Sequence, residues 1–273
     1  MTTVELETNA LSHVGYVRSD NQDALRSQIA PDGLTHVYAV ADGMGGYEHG
    51  GVASALALET FMQTVCNWPA GLQSPNHIEQ AIRRGVQDAN VRVYQESARL
   101  SAKMGTTLTG VCVSGNRLHI AHVGDSRAYL IRGGQATVLT RDHTAVGDMV
   151  RAKVISADKI RQHSQRSVLN RSLGIELFTQ ADVSRATINS GDVLVLCSDG
   201  LWASIEDADI AALSDPRDSA EAISARLVET ALKNGSDDNV SAWAICIRSA
   251  PEAAAEVVKR PRFPDLFRGL LHA

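Results

Sequence analysis

The chain has 273 residues, 44% of them hydrophobic and 21% charged, the make-up of an ordinary globular protein long enough for a sizeable core. A formal net charge of −5 gives a nucleic-acid-binding role no electrostatic support. No apolar run approaches a membrane span, and the opening MTTVELETNA lacks a charged region followed by an apolar one, so no span and a cytoplasmic location are expected.

In chain order, residues 4–17 read as an opening pair of strands with a turn near 12–15. The polar run RSDNQD, residues 18–23, reads as a solvated loop. Asp32-Gly33 is a hairpin turn into a strand over 35–41, which stops at a lone carboxylate, Asp42. Three of the next four residues are glycine. Helices are expected over 50–66, apolar on nearly every face, and over about 76–100. In the second, Ile78, Ile82, Val86, Ala89 and Val93 keep steps of three or four, with Asn76 as the N-cap.

Over 105–139 the period changes to short apolar runs parted by turn residues, an antiparallel meander. His119 and His122, three apart on such a strand, face opposite ways and so share no metal. Residues 142–174 are polar and arginine-rich, with short helical pieces over 145–151 and 157–163. They read as a surface flap, about 145–170, within one domain. Strands resume over 181–186 and 193–197, a short helix follows Ile205, and a longer one spans about 216–233, stopped by Asn234-Gly235. A loop and a buried strand complete the domain, residues 1–248. The tail, 249–273, carries Phe263, Leu266, Phe267, Leu270 and Leu271 at helical spacing beside Lys259, Arg260, Arg262 and Arg268, a composition for packing on its own domain, a partner or a membrane surface. Cys66, Cys112, Cys197 and Cys246 form no C-x-x-C pair and read as reduced.

The chemistry lies in acids that end or border apolar runs. Asp42 is followed by glycine, and so is Asp199 after the run Val193–Cys197; Asp125 follows LHIAHVG, and Asp238 precedes NVSAWAICI. Asp-Gly alone is more often a turn than a site; its recurrence here argues otherwise. With Asp23 these are five aspartates and no histidine or cysteine cluster, an oxygen-only set that favours Mg²⁺ or Mn²⁺ over Zn²⁺. If they converge, more than one cation is needed to offset their repulsion. Two such ions sharing a carboxylate activate water, and Arg18 offers a planar fork to a phosphate dianion. The residue types point to metal-dependent phosphoester hydrolysis.

Arg18 with Asn21-Gln22-Asp23, then Asp42-Gly-Met-Gly-Gly46, Gly105-Thr-Thr107, Gly124-Asp-Ser-Arg127, Asp142-His143, Ser198-Asp-Gly200 and Asp238-Asn-Val240 follow in this order. Together they resemble the bacterial branch of the metal-dependent protein phosphatases, the phosphatase 2C family. The resemblance implies an α+β fold, a four-layer α-β-β-α sandwich with two central antiparallel sheets flanked by helices. It implies hydrolysis of phosphoserine and phosphothreonine in proteins by direct attack of a metal-bridging hydroxide, with no phosphoenzyme. Asp42 would bridge two ions, Mn²⁺ or Mg²⁺, with the Gly43 carbonyl on one. Asp199 and Asp238 would complete one shell, Asp23 would act through water, and Asp125 with Asp199 would hold a third, weaker ion. Arg18 would bind the substrate phosphate.

The chain departs from the family pattern at four positions. Met44 stands where many eukaryotic members have histidine, so a water must protonate the leaving alkoxide. Gln22 replaces a glutamate, and where related bacterial chains often read His after Gly46 and then Gly-Glu further on, Tyr47 and Gly51 take those places. A counterpart Ser/Thr kinase, phosphoprotein substrates and a monomeric state are expected. The rival readings are a catalytically silent partner-binding module and a hydrolase of small phosphoesters on the same fold.

Overall fold

The computed structural model describes residues 3–45, 49–69, 71, 72 and 74–252. Tyr47 and nearly all of the tail, from 253 onward, lie outside them, while Gly51 is in the first turn of a helix where a Cβ would meet Asn21 O at 3.7 Å and Gln22 Cα at 3.9 Å, ordinary contacts.

The strands are β1 (Glu5–His13), β2 (Asp23–Ile29), β3 (Thr35–Gly45), β4 (Met104–Thr106), β5 (Leu108–Ser114), β6 (Arg117–Val123), β7 (Arg127–Arg132), β8 (Gln135–Val138), β9 (Asp182–Thr187), β10 (Val193–Cys197) and β11 (Val240–Ser249). The helices are α1 (His49–Cys66), α2 (Pro75–Leu100), α3 (Ala145–Arg151), α4 (Asp199–Trp202), α5 (Asp207–Leu213) and α6 (Ala220–Lys233). One antiparallel sheet runs β1-β11-β10-β7-β8, the other β2-β3-β5-β6-β9, with β4 pairing the far end of β3.

Three apolar layers follow from the alternation of side chains along central strands. Val40, Val111, Ile120, Leu196 and Ile245 fill the space between the sheets. The opposite faces of β3, β5 and β6 pack on α1 and α2 through Ala39, Cys112 and Ala121 against Phe61, Met62 and Ile82. The opposite faces of β7, β10 and β11 pack on α5 and α6 through Val195 and Ala244 against Ile210, Ile223 and Leu227. α1 is apolar on most faces because it lies between β3 and α2. The result is the α-β-β-α sandwich that the resemblance implied.

Several expected details differ. Residues 4–17 hold one strand, because β1 finds its partner in β11, Glu5 opposite Ser249 through His13 opposite Val240. The meander is two hairpins in different sheets: β5–β6 belongs to one and β7–β8 to the other. The chain crosses between them at Gly124-Asp125-Ser126, where Gly124 has φ +107°, a conformation that favours glycine. The α2 N-cap is Ser74, which accepts from His77 N at 3.2 Å; Pro75 at the first helical position marks it, and Asn76 lies inside the helix. The second flap helix shrinks to a 3₁₀ turn, Ala157–Lys159. All four cysteines are buried and free, and no helix among the described residues is long and apolar enough to cross a membrane.

Candidate active site

The site forms where β3 changes partners. Asp42 faces Asp23 across the last pair of the β2–β3 ladder, and from Gly43 onward β3 pairs with β4 instead. Two threonines clamp the backbone at this junction. Thr106 Oγ1 and Thr107 N both donate to Asp42 O at 2.9 Å, and Asp42 N donates to Thr107 Oγ1 at 2.9 Å. Gly43 N donates to Gln22 O at 3.1 Å, and a Cβ on Gly43 would sit 2.1 Å from Gly50 O. Only glycine lets β3 pass this close to the start of α1.

The other acids arrive from three further chain crossings. Asp125 sits at the passage between the sheets, its carbonyl held by Trp202 Nε1 at 2.8 Å. Asp199 opens α4 directly after β10, and Asp238 precedes β11. Arg18, Asp42, Gly43, Asp125, Asp199 and Asp238 all line one cleft of about 510 Å³, with Ser167 and Leu169 contributed by the flap. Asp23 stands behind this wall. Its Oδ2 accepts from Ser198 Oγ and Ser241 Oγ, both at 2.7 Å, while its Oδ1 is buried with no hydrogen-bond partner.

Burial and mutual repulsion dominate the electrostatics. Burial pushes the Asp23 carboxyl up to about 7, with Asp199 and Asp238 adding to it against the two serine hydroxyls. Burial also raises Asp199 to about 6, with Asp238 next. Asp42 is held well above the usual carboxylate range by burial, then by Asp23, Asp199, Asp125 and Asp238. Asp125 is raised in the same way by burial and Asp199. Asp199 Oδ1, like Asp23 Oδ1, is buried without a partner. These oxygens suit hard divalent cations, which would supply the missing positive charge.

The carboxylates share the cleft without closing on one point: among the described residues no three His, Cys, Asp or Glu side chains form a ready ion shell. Asp238 is one reason, since its Oδ2 accepts from Arg18 Nη2 at 2.7 Å. Arg18 thus lines the cleft, with an acid as its partner. Asp142 and His143 stand apart from the cleft lining. Asp142 receives two bonds from Arg127, at 3.0 and 2.6 Å, and both side chains are buried.

Sequence reasoning gave no role to the residues that set these acids in place. Asn239, 5% exposed, accepts from Gln22 N at 2.8 Å and donates to Val14 O and Asp20 O at 2.8 and 2.9 Å. It fixes the loop that carries Arg18 to the strand after Asp238. Ser198 and Asn239 each sit beside an acid in a quoted motif, and Thr106 and Thr107 make up most of another, which was the available signal. Ser241, inside the last strand, had none.

A family model described as protein phosphatase 2C matches residues 15–243. The serine/threonine protein phosphatase PstP of Mycobacterium tuberculosis is 35% identical over 240 residues, 88% of this chain, and the chain spans 44% of that relative's length. Among solved structures, the Streptococcus agalactiae serine/threonine phosphatase superposes with a TM-score of 0.81 at 27% identity, covering 89% of this chain and 100% of that one. The catalytic domain of PstP in complex with two manganese ions superposes with a TM-score of 0.77 at 29% identity, covering 89% and 99%.

Proposed function

The chain belongs to the protein phosphatase 2C family, a metal-dependent one, and from that premise we propose that it hydrolyses phosphoserine and phosphothreonine in proteins. The observation that carries the reading is the cleft itself: Asp42, Asp125, Asp199 and Asp238 line it together with Arg18 and Gly43, and burial and repulsion disfavour the charged forms of Asp42, Asp125 and Asp199. Such a site gains most from divalent cations and a phosphate dianion.

Two core ions, Mn²⁺ or Mg²⁺, would fit this donor set, held by the carboxylates of Asp42, Asp199 and Asp238 and by the Gly43 carbonyl. Asp125 with Asp199 would take a third, and Asp23 would act through water. When bound, the ions would lower the pKa of water and offset phosphoryl charge. The rest falls to the chain. Arg18 turns its fork from Asp238 to the phosphate oxygens and orients the group for in-line displacement. A water oxygen forms the new bond to phosphorus as the bond to the serine or threonine oxygen breaks. Met44 has no proton to give, so the leaving oxygen takes one from water. Ser198 and Ser241 hold Asp23 in one rotamer throughout.

A Ser/Thr kinase that makes the phosphoprotein, a monomeric enzyme and a cytoplasmic setting belong to the same reading. The test is hydrolysis of a phosphothreonine peptide with EDTA, Mg²⁺ or Mn²⁺, beside Asp42→Asn and Asp199→Asn. Ion-dependent turnover that collapses in both variants is expected. A folded protein inactive with every ion would sink the proposal.

A further inference from the structure

A second groove, of about 540 Å³, continues from the first and shares Met44, Gly45 and Leu169 with it. β4 forms part of its floor and the loop 173–179 one wall. The backbone of this loop is anchored along its length. Thr106 N donates to Leu173 O at 3.1 Å and Leu173 N to Thr106 O at 2.8 Å. Asn90, wholly buried in α2, accepts from Gly174 N and donates to Glu176 O and Leu177 O, each at 2.9 Å. Gln87 Nε2 adds a bond to Leu177 O at 3.2 Å.

On this fixed backbone Ile175 is 40% exposed and Phe178 75% exposed. Ile175 also leans on Gly105, where a Cβ would meet its Cδ1 at 3.0 Å. A held loop that presents large apolar side chains beside an active-site cleft is a recognition surface in waiting. The charges around it favour no sign. Lys103 and Glu176 oppose each other, and Arg171 is committed to Asp182 Oδ1 at 2.9 Å and Gln180 O at 3.0 Å.

We propose that this groove receives the stretch of phosphoprotein substrate that flanks the phosphorylated residue, seating one large apolar side chain against Ile175 and Phe178. The inference rests on the phosphatase reading above. Met44, where the shared wall begins, is two residue steps along β3 from Asp42, roughly 7 Å at the rise of an extended chain. The seated side chain therefore stands two or three positions from the phosphorylated one.

The experiment compares wild type, Phe178→Ser and Ile175→Ser with Mn²⁺. Substrates are p-nitrophenyl phosphate and phosphothreonine peptides of Gly, Ser and Ala in which one Leu is walked from three positions before to three after. One placement should raise wild-type kcat/KM about tenfold, both variants should erase that gain, and p-nitrophenyl phosphate turnover should match in all three. No effect of placement in wild type, or a gain that survives both substitutions, overturns the proposal. A sedimentation mass that changes in Phe178→Ser while the peptide preference stays assigns the loop to self-association and also overturns it. Fluorescence anisotropy of labelled Leu and Gly peptides on Asp42→Asn reads the groove without turnover. Inactivity of wild type on every phosphoester therefore counts against the phosphatase reading, and equal binding of the two peptides counts against the groove.

Discussion

Two groups of buried charge lie side by side in this molecule and are treated in opposite ways. Asp142 is buried with a bidentate partner, Arg127, whose guanidinium also lies 3.7 Å from the centre of the Trp202 ring and donates to Tyr129 Oη at 3.1 Å. Across Trp202, which bonds to the Asp125 carbonyl, stand Asp42, Asp125 and Asp199. There burial and neighbouring acids outweigh the cations the protein supplies. Where the fold needs a charge for structure, it brings the counter-charge on its own chain. Where it leaves carboxylates short of cations, the deficit marks a place for something from outside.

The sharpest way to break that contrast is to remove charge from each group. Asp42→Asn or Asp199→Asn should lower phosphothreonine-peptide turnover by about a thousandfold or more, a loss of roughly 4 kcal/mol of transition-state stabilisation. Melting in EDTA should show these variants at least as stable as wild type, since a repelling charge is gone. Arg127→Met should do the reverse and unfold the protein more easily by about 3–5 kcal/mol, the cost of leaving Asp142 unpaired, as read by urea denaturation. If both classes of variant destabilise alike, the distinction is wrong.

Cation binding sharpens the comparison next. Mn²⁺ at about a hundred times its Kd should stabilise wild type by about 2.7 kcal/mol, a rise in Tm of several degrees, and Asp42→Asn should show little of it. The smallest effect concerns His122, on the structural side. Its ring lies between Thr109 Oγ1 at 2.9 Å and Arg141 O at 3.0 Å, and burial holds its pKa down to about 4. The unfolded chain takes up that proton near 6.5 and the folded one only near 4, so stability is full above about 6.5 and falls with pH between the two. From pH 7 to pH 5 the loss is about 2 kcal/mol, and His122→Gln should lack that part of the acid sensitivity in calorimetry.

How much of this was legible depended on distance along the chain. The apolar runs that end at Asp42 and Asp199 state both a strand and its terminus. Motif order, through the resemblance, joined acids that periodicity could not. Alternation tells which residues of a strand share a face but not which sheet the strand joins, so the passage at Gly124-Asp125 read as one turn in a meander. Asn90 and Asn239 were opaque for a related reason. Each organises a loop far away in sequence, and an asparagine within a helix or beside a strand carries no local sign of that partner. The hydrogen bond from Arg18 to Asp238 crosses 220 residues and was equally hidden.

The pairing of β1 with β11 has a consequence for how the protein folds during synthesis. Asn239, just before β11, and Ser241 within it reach back to the backbone at Gln22 and to the carboxylate of Asp23. A nascent chain that has emerged only as far as α4 has Asp42, Asp125 and Asp199 but neither Asp238 nor the strand that joins β1 to β10 in the first sheet. The first sheet and the fourth acid of the cleft are therefore completed together, in one late, non-local step of folding.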